Sequence, residues 1–114
     1  MEEKHFRSVI THTVSGSSNE FITDVVVDPI DIHFYTLISV ENKTSAMTFL
    51  RIGVDRFSDK IYFYEEKNTV AATVYWIHNT VTVFGTERLL VAIYGAVAGD
   101  IVSIVLQGHI RKRD

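Results

Sequence analysis

Several features that define other protein classes are missing from this 114-residue chain. It has no cysteine, which excludes disulfides, thiolate metal sites and a cysteine nucleophile. It has one proline and no low-complexity stretch, which argues against wholesale disorder. No apolar run is long enough to span a bilayer, and the charged start, MEEKHFRSVITH, lacks the apolar core of a secretory signal. We therefore expect no membrane contact.

An excess of basic residues is missing as well. The net charge is −3, whereas proteins dedicated to binding nucleic acid are usually basic, so a nucleic-acid partner is not expected. The one basic stretch is His109–Arg113, which is best explained as a solvated chain end.

What the chain does have is an abundance of Val, Ile, Thr, Tyr and Phe, the residues that suit pleated and half-buried surfaces. Short runs of alternating apolar and polar residues are separated by turn signals, and no stretch predicts a long amphipathic helix. The sequence predicts one all-β domain over residues 1–114, with an N-terminal arm over residues 1–7. The expected fold is an antiparallel two-sheet β-sandwich, jelly-roll-like, with eight or nine short strands.

Two stretches of the sequence predict the pairing or the faces of individual strands. Arg88–Arg113 predicts two adjacent strands of one sheet, joined by a turn at Gly95–Asp100. Asp31–Glu41 alternates, which places Ile32, Phe34, Ile38 and Val40 on one face and His33, Tyr35, Leu37, Ser39 and Glu41 on the other.

Apolar residues occur on both faces of several predicted strands. Only one face of each sheet of a sandwich is core, so the second face predicts a subunit contact and a homo-oligomer. The interface candidates are Met47, Phe49, Leu90 and Tyr94.

The aromatic residues Tyr62, Tyr64, Tyr75 and Trp76 lie on neighbouring segments. Core packing is their commonest role, but an exposed set would stack on ligands, as in a carbohydrate-binding module. Such modules often hold calcium, for which Asp24, Asp28 and Asp31 are the nearest oxygen donors, although their spacing is not that of a known calcium loop.

The five histidines offer a third hypothesis, a small cupin-type metal enzyme. His5, His12, His33, His78 and His109 have none of the common ligand spacings, and the last three sit on the more polar side of their strands. No serine has the context of a nucleophile, and no glycine-rich loop could hold a phosphate. We therefore predict no catalytic residue, no cofactor and no metal, and expect a protein that is not an enzyme.

The end of the chain resembles a known family. The strand Leu89–Ala92, the small-residue turn Ala96–Asp100 and the last strand Ile104–Gly108 look like the ending of small β-sandwich proteins in tailed-phage virions. That resemblance implies a head-decoration or accessory virion protein that assembles on a capsid lattice. The leading hypothesis is a non-enzymatic structural protein that self-associates and docks on a larger assembly, located in a virion if the resemblance holds and in the cytoplasm otherwise.

Overall fold

A computed structural model describes residues 3–16, 19–57, 59–77 and 79–113. The described residues form nine strands and no helix. The strands are β1 (Glu3–Thr13), β2 (Asn19–Thr23), β3 (Asp31–Asn42), β4 (Phe49–Arg56), β5 (Asp59–Lys67), β6 (Tyr75–Ile77), β7 (Val81–Phe84), β8 (Arg88–Tyr94) and β9 (Ile101–Lys112). The described part of the chain therefore offers no helix that could cross a membrane.

The strands form two antiparallel sheets that face each other. The first sheet has the order β1-β9-β3, with β6 and β7 both paired to the far side of β3. The second sheet has the order β2-β8-β4-β5. Since β6 and β7 pair with successive parts of β3, they act as one interrupted edge strand, and the domain has the eight-strand, two-sheet arrangement of a jelly roll. The expected fold class is confirmed.

The core lies between the sheets and follows from the alternation of side chains along the central strands. In β8 and β9 alternate residues point at the opposite sheet, and all of these inward residues except Gly108 at the bulge and the strand ends are large and apolar. The most deeply buried include Leu89, Val91, Ile93, Val102, Ile104 and Leu106. This packing of two inner faces supplies most of the stabilisation of such a sandwich.

The predicted pairing of the last two strands is wrong. β8 lies in the second sheet between β2 and β4, whereas β9 lies in the first sheet between β1 and β3. The connecting segment crosses from one sheet to the other, and Gly95 and Gly99 both adopt left-handed backbone conformations within it. Alternating strands joined by a glycine-containing loop do not reveal whether the loop stays within a sheet or crosses between sheets.

The predicted faces of β3 are also only partly right, because the strand contains a β-bulge. The register with β9 shifts between Tyr35 and Leu37, so Thr36 is the extra residue. Before the bulge, His33 and Tyr35 point into the core, and after it Ile38 and Val40 do. The histidine that was expected on the polar face is thus 7% exposed.

Two predicted boundaries change. Residues 3–7 of the expected N-terminal arm are the beginning of β1 and pair with β9, and residues 1–2 lie outside the described part. The sequence over Val70–His78 also predicts one strand, but within the described residues this strand is reduced to β6. The reason is that residues 68–74 form a loop in which Asn68 and Ala72 have positive φ angles.

Candidate functional site

One long side of the sandwich is open and carries a groove between the free edges of the two sheets. β5 forms one wall with Ile61, Phe63 and Tyr64, and the interrupted strand β6–β7 forms the other with Trp76, Val81 and Phe84. We call this depression of about 630 Å³ the edge groove. Its position follows from the topology, because both edge strands on this side leave their inner faces only partly covered.

The edge groove is unusually apolar for a solvent-facing surface. Ile61, Phe63, Trp76 and Phe84 are each between 47% and 53% exposed. Single exposed apolar residues are common on proteins, but a contiguous set of large ones marks an interaction surface. The groove is therefore the strongest candidate for a functional site.

The polar groups at the groove suit binding better than catalysis. Glu87 accepts a hydrogen bond from the backbone N–H of Phe84 at 3.0 Å and lies 3.7 Å from the Arg56 guanidinium. The other groove-lining residues that carry polar groups are uncharged, namely Asn79, Thr80, Thr82, Tyr64 and Trp76. An apolar wall with one neutralised carboxylate has the chemistry of a docking surface.

The four stacking candidates do not share one platform. Tyr64 and Tyr75 are half-buried against the core, and the Tyr75 hydroxyl accepts a hydrogen bond from the backbone N–H of Val70 at 2.7 Å. Trp76 lines the edge groove together with Tyr64, whereas Tyr62 lies on the outer face of the second sheet. Burial raises the pKa of the Tyr64 hydroxyl, and burial together with Tyr94 raises the pKa of Tyr62 to about 12. The four residues are therefore divided between different surfaces, and the carbohydrate-binding hypothesis stays a prediction.

The outer face of the second sheet carries its own cover of side chains. The Arg51 guanidinium lies over three rings, at 5.7 Å from the centre of Phe49, 5.3 Å from Tyr62 and 5.5 Å from Tyr94. Its Nε donates to Glu65 at 2.7 Å, which holds it in place. We call these residues, Phe49, Arg51, Tyr62 and Tyr94, the aromatic layer. It shields apolar surface that would otherwise face water.

This layer corrects part of the predicted subunit contact. Met47 is 3% exposed and belongs to the core, and Leu90 is fully buried although it points to the outer face. Neither side chain presents surface to another subunit. Phe49 and Tyr94 are half-buried within the aromatic layer, and their role in an interface stays a prediction.

Leu90→Ala should therefore destabilise the isolated chain. We expect the free energy of unfolding to fall by about 2 kcal/mol. This is at the low end for a buried leucine, because the long side chains of the aromatic layer above it can move to fill the cavity. Chemical denaturation followed by circular dichroism measures this loss. Ile101→Ala, at a site 45% exposed, serves as the control with a smaller effect. A Leu90→Ala protein of unchanged stability but altered oligomeric state would restore the interface role.

The histidines and aspartates of the metal hypotheses have other partners. Burial lowers the pKa of His33, against the opposing effect of Asp24 and Asp31, so this core histidine is neutral at pH 7. His12 lies 2.6 Å from Glu20, and His5 lies beside His109 on the outer face of the first sheet. His78 lies outside the described residues.

The three aspartates are likewise spread over separate contacts. Asp24 accepts a hydrogen bond from the Tyr35 hydroxyl at 2.7 Å, and Asp28 accepts one from the backbone N–H of Ile30 at 3.1 Å. The Asp31 carboxylate lies 3.6 Å from the Lys112 ammonium. Burial and then Asp24 raise the pKa of Tyr35 far above its usual range. Across the described ranges, no three His, Asp or Glu side chains gather as a metal-binding group.

The edge groove was not predicted from the sequence. The signal that could have revealed it is Ile61–Tyr64, an unbroken run of four large apolar and aromatic residues. Such a run fits a strand that is neither fully buried nor half-solvated in the usual alternating way. What the run does not reveal is that the strand lies at a sheet edge.

Comparison with known proteins shows similarity of structure only. No protein-family model and no curated protein matches the chain. A solved chain from the disulfide-linked pili of Bacillus endospore appendages aligns with a TM-score of 0.58 and 10% identity, over 98% of this chain and 89% of that one. A chain of infectious bursal disease virus, Gx strain, aligns with a TM-score of 0.44 and 7% identity, over 96% of this chain and 31% of that one. At these identities the likeness to the pilus chain concerns the fold, and the absence of cysteine here excludes a disulfide linkage.

Proposed function

We propose that this protein is a non-enzymatic structural protein that self-associates and docks on a larger assembly. The observation that carries the proposal is the edge groove, whose large apolar side chains are half exposed in the single chain. A surface of this kind gains free energy when a second protein covers it, because apolar area leaves water. The fold it shares with the pilus chain supports such a role at the level of architecture.

Phe63→Lys should abolish self-association. A lysine at the middle of the groove wall would have to be buried with its charge on assembly, which costs far more than the lost apolar contact. Size-exclusion chromatography with light scattering at several concentrations should show an oligomer for the unaltered protein and a monomer for the variant. Because this position is 47% exposed in the chain, the fold tolerates the change.

Val25→Lys is the matched control, since Val25 is 66% exposed and does not line the groove. It should leave the oligomer intact. An unaltered protein that stays monomeric at every concentration would overturn the proposal.

The phage-like ending of the sequence makes a virion one candidate for the larger assembly. A gene for a major capsid protein or a terminase beside the gene of this protein would support that form of the proposal. If such a gene is found, co-sedimentation of the purified protein with assembled heads of the phage that carries the gene would test the virion proposal. Failure to co-sediment would contradict that proposal.

A further inference from the structure

Two long strands of the molecule pair on one side only. In the described part of the chain, β1 pairs with β9 alone and β5 pairs with β4 alone, so each is the edge of its sheet. They lie on opposite sides of the sandwich, and most of their residues are exposed. A free edge presents unpaired backbone N–H and C=O groups and is a ready site for another strand.

The ends of these two strands are complementary when they are written antiparallel. The first four residues of β1 read Glu-Lys-His-Phe, and the last four of β5, taken backwards, read Lys-Glu-Glu-Tyr. The resulting partners are Glu3 with Lys67, Lys4 with Glu66, His5 with Glu65 and Phe6 with Tyr64. Opposite charges that face each other across a strand pair are stabilising, as is an aromatic pair.

The same alignment also matches the faces of the two strands. Phe6 and Tyr64 both pack towards the core of their own chain, so both lie on inner faces. Glu3 and His5 lie with Arg111 and His109 on the outer face of the first sheet, and Glu65 and Lys67 lie with Arg51 and Phe49 on the outer face of the second. Since side chains alternate along a strand, each of the four pairs would meet on one face.

Two of the charged groups are free to form new contacts. Neither Lys4 nor Glu66 forms an ion pair within the described residues, whereas Glu3 already contacts Arg111 at 3.2 Å and Glu65 contacts Arg51 at 2.7 Å. The pair Lys4–Glu66 therefore has the most to gain from an intermolecular contact.

We propose that β1 of one copy adds to the free edge of β5 of a second copy, in the antiparallel register that sets Lys4 against Glu66. This inference rests on the proposed self-association and names its contact. It places the added strand beside Tyr64, at the rim of the edge groove, so the neighbouring copy covers part of the apolar wall. The two surfaces differ, so the contact is head-to-tail and builds rings or filaments.

Charge exchange tests the register. Lys4→Glu and Glu66→Lys should each weaken self-association by at least about tenfold, because each sets like charges against one another. The double variant K4E/E66K should recover to within about threefold of the unaltered protein, since the pair is restored with its signs exchanged. Analytical ultracentrifugation gives the association constants, and thermal melting confirms that all variants are folded.

Two control variants make the same changes of net charge at positions outside β1 and β5. Lys43→Glu and Glu41→Lys lie outside both edges and should leave the association constant unchanged. If the unaltered protein associates but the single exchanges have no effect, or the double exchange does not recover, this junction is wrong while self-association stands. If the unaltered protein does not associate at all, the proposed function itself fails.

Discussion

Gly108→Ala should destabilise the protein by about 3 kcal/mol or more, which is a large part of the total stability of a domain of this size. A β-carbon at this position would lie 2.9 Å from the carbonyl carbon of Phe34 and 3.0 Å from the Cα of Tyr35, and closer still to the Phe34 oxygen. These are backbone atoms of the bulged strand β3, so they cannot move aside without breaking its pairing with β9.

Urea denaturation followed by circular dichroism would measure the effect as a lower midpoint. Ser103→Ala is the matched control, because Ser103 lies on the same strand, on the outer face, and its replacement should cost no more than about 0.5 kcal/mol. A Gly108→Ala protein that unfolds at the unaltered midpoint would show that the bulge does not approach β9 as closely as described.

The glycines explain why the alternation of the sequence predicted the strands but not all of their faces. Gly108 sits opposite the bulge of β3, and a β-carbon on Gly53 would collide with the backbone of Ile61 beside the bulge of β5. A bulge reverses the alternation of the residues after it relative to those before it, which is why His33 before the β3 bulge and Ile38 after it both point into the core. For the same reason Tyr62 and Tyr64, on either side of the β5 bulge, face opposite sides. A glycine inside an apolar strand is a known sign of a bulge or a close approach, so this signal was present in the sequence.

The location of the candidate site could not be predicted in the same way. The apolar residues of Ile61–Tyr64 were visible in the sequence, but their exposure depends on which strands lie at the sheet edges. Strand order follows from long-range pairing, for which one sequence holds no local signal. The same limit produced the error at β8 and β9, where the strands were correctly predicted and their assignment to one sheet was not.

The sequence correctly predicted apolar residues on the outer face of the second sheet, but it did not show that other side chains of the same chain cover them. Leu90 and Ala92 do point away from the core, yet both are fully buried because the aromatic layer covers that face within the chain. The edge groove has no such cover among the described residues, and it is the surface on which the proposed association rests. The self-association proposed above therefore uses the open side of the sandwich rather than the broad face of the second sheet.

The loop that joins β8 to β9 contains a buried carboxylate that stabilises the fold. Asp100 is 3% exposed, and its carboxylate accepts hydrogen bonds from Asn42 Nδ2 at 3.0 Å, Ser45 Oγ at 2.9 Å and the backbone N–H of Val97 at 2.9 Å. These contacts tie the crossing between the sheets to the end of β3 and to the loop after it. A buried carboxylate with three donors fixes the path of the chain at the point where the expected hairpin becomes a crossover.

Asp100→Ala should cost about 3 kcal/mol at neutral pH, since it leaves buried donors without an acceptor. Asp100→Asn should cost less, because the amide keeps one acceptor oxygen in place. Asp59→Ala, at an exposed position, serves as the control with an effect within about 0.5 kcal/mol. Denaturation midpoints of the three variants would rank them, and equal stability of Asp100→Ala and the unaltered protein would contradict the role of the carboxylate.

The pH dependence of this effect separates the charge of Asp100 from its shape. Burial raises the pKa of Asp100, but the bonds from Asn42, Val97 and Ser45 outweigh it and leave the pKa below its ordinary value of 3.8. The unfolded chain then takes up the proton first as the pH falls, so the stabilisation is complete above that value and is lost below it. The difference in unfolding free energy between the unaltered protein and Asp100→Ala should therefore be constant from pH 7 to pH 5 and shrink below about pH 4. A difference that stays constant down to pH 2 would show that the side chain acts through packing and not through its charge.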